Sequence, residues 1–342
     1  MGDITGNPAP QEWETIAKIS AESITQQWAK KYVRKLIDSE DTWEATSKGV
    51  RSLTAQRLLQ SLRATSVQGW TKTESLIAKE VQRHGINYKL IDPWEIARDS
   101  YYIYEKALSA YAEQLPPRRL CIFIASDVGL MRQKYTAIDP RVIGFVSMQF
   151  HYSGQLLLES LPKTEQAIVG TYFKVIDDHL YMPLHRLCDA AAQYDYHSPV
   201  LESIRQLLPV SSEIAKKIVT RIAELYPNYR CHSGSLNEPT VMISSIRDVE
   251  MFQVYLWVCV LERSIAAIQQ ELFPLCVMLY PPLKVRWELV RQMLHLMGME
   301  LKARLEPKQR SLFMPYFQAL WDLFSPEVFP ETLEDENFDH LA

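Results

Sequence analysis

Apolar positions recur with a helical period along most of this chain, and the longest such pattern is a helical hairpin. Its first arm begins at Asp139 and is apolar around most of its circumference between Ile143 and Leu161. Its second arm runs from Thr164 to about Tyr194, with apolar residues at helical and not strand-like spacing. A helix that is apolar on nearly all sides is normally buried. The pattern therefore predicts that this hairpin forms the centre of an all-α protein.

Local signals mark one end of the hairpin and a bend within it. Asp139 followed by Pro140 is typical of an N-cap and a first helical position. In the second arm, Pro183 removes the hydrogen-bond donor from the carbonyl of His179, four residues earlier. We therefore expect a bend at Pro183, beside His179 and His185.

The hairpin also carries the candidate ligands of the chain, which are His151, His179, His185 and Asp178. Neutral imidazole is the commonest metal ligand, so one hypothesis is a site for a tetrapyrrole or a metal ion. The favoured interpretation is a hydrogen-bonded, buried His151, because buried polar groups usually find a local partner, and partly exposed, polar His179 and His185 beside the bend. Neither arm has the Glu-x-x-His pair of di-iron bundles. The sequence thus favours no cofactor, with a tetrapyrrole as the alternative.

Capping residues and prolines predict further helices on both sides of the hairpin. The predicted helices are Gln11–Leu36, Asp41 to about Leu62, Lys72–His84, Asp92–Gln114, Ser198–Leu208, Ser211–Leu225, Val249–Glu271, Leu283–Leu305 and Ser311–Phe324. The run Leu120–Ala125 fits either a buried strand or a helix that reaches Tyr135, and the helices on both sides favour a helix. We expect a bundle of ten to twelve helices, with subdomains at 11–115 and 116–330 between a disordered N-terminus (1–10) and an acidic disordered tail (331–342).

The segment Lys48–Lys89 resembles a helix-turn-helix unit, with a turn at Thr65–Trp70 and a Thr-x-x-Glu capping box at Thr71 and Glu74. It contains eight Lys or Arg against two acidic residues, a local excess of six positive charges. Its second helix would offer three cations to a nucleic acid, which are Lys72, Lys79 and Arg83. A solvated basic helix pair explains the pattern better, since the turn is longer than that of the motif.

The stretch Tyr226–Ser244 shows no periodicity, and irregular loops of this length are uncommon inside a compact domain. It contains Arg230, Cys231 and His232, which we take as secondary site candidates. A plain connection between helices is the favoured interpretation. Sequence adjacency does not place a histidine as a base against a thiol, so a nucleophilic role for Cys231 is not favoured.

Composition is that of an ordinary globular protein: 342 residues, 47% hydrophobic and 23% charged, with a formal net charge of -4. This charge gives no global reason to expect nucleic acid or an anionic membrane as partner. The five cysteines occur singly, as in a reduced intracellular protein. No signal peptide is recognisable, and no apolar run approaches the roughly 18 residues that span a bilayer. We expect a cytoplasmic protein without a membrane span.

Three stretches resemble a group of uncharacterised helical proteins from cyanobacteria: FVSMQFHYSGQLLLE, YFKVIDDHLYMPLHRLCDAA and LYPPLKVRWELVRQMLHLMG. The resemblance covers Asp139 to about Phe324. It implies a helical fold and a cytoplasmic setting in a photosynthetic cell, and it supplies no catalytic residues.

No glycine-rich phosphate loop, H-E-x-x-H motif or Gly-x-Ser-x-Gly motif occurs in the chain, which favours a protein that is not an enzyme. We expect a helical protein that binds another protein in a regulatory or assembly role, and homo-oligomerisation stays open. The alternative is a tetrapyrrole or metal binder using the hairpin. Nucleic-acid binding through residues 48–89 is the third hypothesis.

Overall fold

The structure, a computed structural model, describes residues 24–32 and 48–329, and it confirms the all-α class for them. Their twelve α-helices are α1 (Lys48–Arg83), α2 (Pro93–Ala112), α3 (Pro117–Thr136), α4 (Val142–Glu159), α5 (Lys163–Tyr181), α6 (Leu184–Ala191), α7 (Pro199–Leu207), α8 (Ser211–Leu225), α9 (Pro239–Glu262), α10 (Phe273–Leu279), α11 (Trp287–Arg304) and α12 (Pro307–Leu323). Residues 24–29 and 31–32 are also helical. A short antiparallel pair, β1 (Arg230–Cys231) and β2 (Gly234–Ser235), joins α8 to α9.

Several predictions fall on residues outside the described ranges. These are the disordered N-terminus (1–10), most of the helix at 11–36, the helix start at Asp41 and the acidic tail (331–342). The division into subdomains at residue 115 stays a prediction. The buried apolar side chains of the described residues form one hydrophobic cluster.

The predicted hairpin is present as α4 and α5, and Pro183 separates α5 from α6. Met182, the residue before the proline, is extended, with φ -109° and ψ 138°, because a following proline disfavours the helical conformation. The result is a complete break where we expected a bend. At the other end, the Asp139 carboxylate accepts a hydrogen bond from the Arg141 backbone N–H at 3.1 Å, and α4 begins at Val142, later than predicted.

The predicted turn at Thr65–Trp70 is wrong, because α1 runs through it as a single helix. The Thr71 hydroxyl donates to the Val67 carbonyl of the preceding turn at 3.1 Å and therefore does not cap a new helix. α1 packs along α4, where a Cβ on Gly69 would lie 2.7 Å from the Ser153 Oγ. This close packing favours a continuous helix over the local turn signals. The helix-turn-helix interpretation is thereby excluded for this segment.

The end of α1 follows its sequence signal closely. Gly85 adopts a left-handed conformation, with φ 61°. The Ile86 N–H donates to the Val81 carbonyl at 2.9 Å, and the Gly85 N–H donates to the Gln82 carbonyl at 3.3 Å. These two hydrogen bonds form a Schellman ending, for which glycine after the last helical turn is the usual sequence signal. After this ending, Tyr88–Leu90 form a 3₁₀ turn.

The C-terminal half differs from prediction at the ends of α9. This helix begins at Pro239, so the predicted irregular loop at 226–244 is shorter and contains β1 and β2. Proline has no N–H group, and the first helical position needs none, so Pro239 is well suited to start α9. α9 ends at Glu262, since Arg263 adopts a left-handed conformation with φ 52°. Between Val249 and Leu261 all its residues are buried, against α6, α8 and α12.

The undecided run Leu120–Ala125 is helical and belongs to α3, which packs against α5. Among the helices of residues 24–32 and 48–329, none combines the length and hydropathy of a membrane-spanning segment.

The continuity of α1 can be tested by proline substitution at Gln68, which is exposed within the predicted turn. Proline at this position removes the hydrogen bond to the Ala64 carbonyl and clashes with it. We therefore expect Gln68→Pro to lower the free energy of unfolding by about 3 kcal/mol or more in urea denaturation, and Gln68→Ala to change it little. Equal stability of the two variants would instead support a turn.

Candidate functional site

Two of the three candidate histidines, His151 and His185, are partly buried, each beside a different aspartate. His151 Nδ1 is 3.6 Å from Asp177 Oδ2, with both side chains about three-quarters buried. His185 Nδ1 is 2.8 Å from Asp189 Oδ2, one turn further along α6. Thus the two imidazoles belong to separate local pairs.

The third histidine, His179, is buried in the core, so the expectation that it is partly exposed is wrong. Its Nδ1 lies 2.8 Å from the Val175 carbonyl, to which a protonated Nδ1 donates, and its Nε2 faces the Cys121 Sγ at 3.8 Å. Burial lowers the pKa of His179 and raises the pKa of Cys121. The pair is therefore a neutral imidazole beside a protonated thiol. Within the described residues, no group of three or more His, Cys, Asp or Glu is placed to hold a metal ion.

Asp178, the remaining hairpin candidate, lies in a buried cluster of charges that the sequence analysis did not predict. Its side chain is fully buried. Lys174 Nζ contacts one carboxylate oxygen at 2.6 Å, and the Tyr32 hydroxyl donates to the other at 2.8 Å. Tyr32 belongs to the helical residues 24–32, so Asp178 links this segment to α5.

Glu250 of α9 forms the other half of this buried charge cluster. Lys31 Nζ lies 2.8 Å from its Oε1, which also accepts a hydrogen bond from the Ser212 hydroxyl. Lys174 Nζ lies 4.0 Å from its Oε2. The cluster thus pairs two lysines with two carboxylates, and it joins residues 24–32 with α5, α8 and α9.

Electrostatics keep Glu250 charged inside the core. Burial by itself would raise the pKa of Glu250, but the charges of Lys31 and Lys174 and the hydrogen bonds to the carboxylate lower it to about 2. Burial would lower the pKa of Lys174, but Asp178 and Glu250 raise it above its usual value. A buried charge is tolerated when it is paired and hydrogen-bonded, as both are here.

Aromatic and apolar contacts complete the docking of residues 24–32. Ile24, Trp28, Ala29 and Tyr32 are buried. The Lys31 ammonium lies over the Trp28 ring, 3.6 Å from its centroid. The Lys31 side chain is therefore only 9% exposed, although it belongs to a run of basic residues. The helical spacing of Trp28 and Tyr32 was a signal for the buried side.

The secondary candidates lie around the β1–β2 turn. Arg230 is exposed, with its guanidinium 3.9 Å from the Glu238 carboxylate. Burial raises the pKa of Cys231 to about 11, so its thiol is protonated at neutral pH and is a poor nucleophile. The His232 backbone N–H donates to the Leu283 carbonyl at 2.9 Å, which fixes the turn against the start of α11. The arrangement is that of a structural connection.

The three cationic candidates lie on one exposed side of α1, because Lys72, Lys79 and Arg83 are seven and four residues apart. Lys72 Nζ is 5.7 Å from the ring centroid of Tyr152 on α4. Since α1 is continuous, these cations lie along a long helix and not on a recognition helix. Nucleic-acid binding through this segment stays a prediction.

A surface of different character lies on α3, where large apolar side chains face the solvent. Phe123 is 61% exposed, Leu130 58% and Ile122 44%, and Tyr102 of the neighbouring α2 is 45% exposed. We call these four residues the α3 face. We expected the run Leu120–Ala125 to be either a buried strand or part of a helix, without an exposed apolar surface being predicted. Because its apolar residues fall on both sides of a helix, that run was itself a signal for a second apolar surface.

Charged residues beside the α3 face are already paired within the chain. Lys106 Nζ lies 2.7 Å from Asp127 Oδ2, and 4.5 Å and 5.0 Å from the ring centroids of Tyr102 and Phe123. Further along α2 and α3, Lys134 Nζ lies 2.7 Å from Asp99 Oδ2 and 2.9 Å from Glu95 Oε1. The apolar side chains therefore have a rim of locally neutralised charges.

An open surface cavity of about 580 Å³ lies where the α6–α7 connection meets the end of α9. Its lining includes Tyr194, Asp195, Ser198 and Arg263. None of the candidate residues named above lines it, so it adds no support to the tetrapyrrole or metal hypothesis.

The role of the buried charge cluster can be tested with Glu250→Gln. This substitution leaves Lys31 buried without its carboxylate, so at pH 7 we expect a loss of about 3–5 kcal/mol in the free energy of unfolding. Since the pKa of Glu250 is lowered from 4.5 to about 2, the stability that it contributes is present above pH 4.5 and is lost towards pH 2. Urea denaturation should therefore show the two proteins converging as the pH falls through that interval.

The matched control is Glu224→Gln, which alters an exposed ion pair with Arg221. An exposed pair contributes at most about 1 kcal/mol, so this variant should unfold like the wild type at every pH. Equal effects of the two substitutions would contradict a special role for Glu250.

The docking of residues 24–32 can be tested by a disulfide. Thr25 Oγ1 lies 3.0 Å from Cys188 Sγ on α6, so a cysteine at position 25 would bring its sulfur within bonding reach of Cys188. We expect oxidised Thr25→Cys to lose two free thiols in a mass-labelling assay. Gln26→Cys, at an exposed position, should lose none. Retention of all thiols in Thr25→Cys would mean that the segment docks elsewhere.

Compared with known proteins, the chain matches no family model, no curated protein and no solved structure.

Proposed function

We propose that this protein is a non-enzymatic helical protein that binds a helix of a protein partner, in a regulatory or assembly role, through the α3 face. The observation that carries the proposal is the exposure of Phe123, Leu130 and Ile122 on a helix whose other side is already buried. Scattered exposed apolar residues are normal on a protein surface. A contiguous group of large ones is typical of an interaction surface.

The composition of the surface supports a protein partner. Aromatic and aliphatic side chains lie at its centre, and the ion pairs Lys106–Asp127 and Lys134–Asp99 lie at its edge. An apolar core inside a polar rim is the usual anatomy of a protein interface. Because the rim charges are compensated within the chain, a partner can cover the centre without leaving a charge unpaired.

The surface is also held rigid. The inner side of α3 packs into the core through Leu120, Cys121, Ile124 and Val128, all of them fully or nearly fully buried. A surface on a packed helix loses little conformational entropy when it binds. The shape of α3 suits a helical partner, since an amphipathic helix can place apolar side chains along such a ridge.

The buried charge cluster fits a structural role within this proposal. Asp178 and Glu250 are enclosed by side chains of the same chain, with their charges compensated by Lys31 and Lys174. In this arrangement the cluster holds residues 24–32 against the helices and presents no reactive group to solvent.

The proposal is tested by photo-crosslinking in cells that express the protein naturally. A benzoylphenylalanine is placed at position 123 or 130, or at Leu225 as a matched control, an exposed apolar residue at the end of α8. We expect covalent adducts from positions 123 and 130 but not from 225. Phe123→Asp should abolish the adduct from position 130 without unfolding the protein, because Phe123 is mostly exposed. Adducts that form equally at 225, or at none of the three positions, would contradict the proposal.

A further inference from the structure

We infer that the open cavity at the end of α9 binds a zwitterionic small molecule, of the class of α-amino acids with a large apolar side chain. No residue of the α3 face lines this cavity, so the inference goes beyond the proposed function and does not rest on it. It is carried by a cation, a carboxylate and an apolar wall that line the same cavity.

The cavity has the size and the apolar wall of a small-molecule site. Its volume is about 580 Å³, within the range of about 300–1,000 Å³ that is usual for ligand pockets. Val200 of α7, Leu261 of α9 and Leu312 of α12 supply apolar side chains to its lining. These three helices pack against one another, which fixes the wall. An aliphatic or aromatic group of a ligand gains free energy by leaving water there.

Arg263 is the cation of the cavity. Among the described residues, its exposed guanidinium takes part in no ion pair. Its Cζ lies 5.9 Å from the ring centroid of Tyr194, which also lines the cavity. The Tyr194 ring is held in place, since its hydroxyl donates to the Leu261 carbonyl at 2.5 Å. A guanidinium beside this fixed ring can donate two parallel hydrogen bonds to a carboxylate.

Asp195 supplies the opposite charge from the α6–α7 connection. Its backbone carbonyl accepts a hydrogen bond from the Ser198 N–H at 2.9 Å, which closes a turn at the start of α7. Its side chain is exposed and, within the part of the chain that the structure describes, is paired with no cation, Arg263 included. The cavity therefore offers one charge of each sign to a ligand.

This pair of charges selects the class of ligand. A simple anion would be attracted by Arg263 and repelled by Asp195, and a simple cation would meet the reverse. An α-amino acid satisfies both residues, because its carboxylate can pair with Arg263 and its ammonium with Asp195. A large apolar side chain can then lie against the wall.

Titration of the full chain with L-phenylalanine and L-leucine, followed by saturation-transfer NMR, tests the ligand class. We expect both amino acids to bind. Phenylalanine amide lacks the carboxylate and N-acetylphenylalanine lacks the ammonium, so each should bind about tenfold or more weakly than phenylalanine. Absence of binding by both amino acids at millimolar concentration would overturn the inference. Equal binding of phenylalanine and its two derivatives would do the same.

The backbone at Arg263 allows a substitution that separates binding from stability. Arg263 is left-handed, with φ 52° and ψ 37°, at a helix end where glycine is the usual residue. Arg263→Gly should therefore not lower Tm, although it should weaken the binding of phenylalanine about tenfold or more. The matched control is Gln114→Gly, which makes the same change at a left-handed residue that does not line the cavity. It should bind phenylalanine like the wild type.

Asp195→Asn tests the other charge at an exposed position, where the substitution leaves the fold intact. It should weaken the binding of phenylalanine but leave that of N-acetylphenylalanine unchanged, because the acetylated compound has no ammonium to lose. Binding of phenylalanine at wild-type strength by Arg263→Gly or by Asp195→Asn would overturn the inference, since the amino acid would then lie elsewhere.

Discussion

The buried charge of Glu250 is the constraint on which much of this architecture depends. It is a carboxylate within the stretch of α9 where all residues are buried, and a carboxylate in such a place must be compensated. Lys31 and Lys174 supply the compensation from distant parts of the chain, and Lys174 shares its charge with Asp178. Since hydrogen bonding and charge pairing require close contact, this one group fixes how residues 24–32, α5 and α9 are placed relative to one another.

The elements that could be predicted are those whose signals are local. The Schellman ending at Gly85 and the break at Pro183 each depend on a few neighbouring residues, and both appear in the structure. The continuity of α1 could not be predicted in the same way. Thr71 and Glu74 carry a sound capping signal, but the packing of Gly69 against α4 outweighs it, and that contact joins residues far apart in sequence. Local propensity is a weak prior wherever tertiary packing competes with it.

The same distinction applies to the candidate site. The sequence identified Asp178 and His179 as candidate ligands and favoured a partly exposed His179, whereas both side chains are buried. It did not identify their partners. Lys31 belongs to a run of basic residues that resembles a solvated helix end, and only the fold shows that its side chain enters the core. A cluster assembled from four separate segments leaves no spacing pattern in the sequence, because each segment contributes one or two residues.

Polar residues usually lie outside a protein and apolar residues inside it. The buried charge cluster departs from this rule in one direction, and the exposed apolar side of α3 departs from it in the other. Each departure costs free energy in an isolated chain, so each needs a compensating contact. For Glu250 and Asp178 the compensation lies within the described residues, in the two lysines. For Phe123 and Leu130 it does not, since both face solvent while the ion pairs around them are complete. A surface with its charges satisfied and its apolar groups unsatisfied gains most from an apolar neighbour.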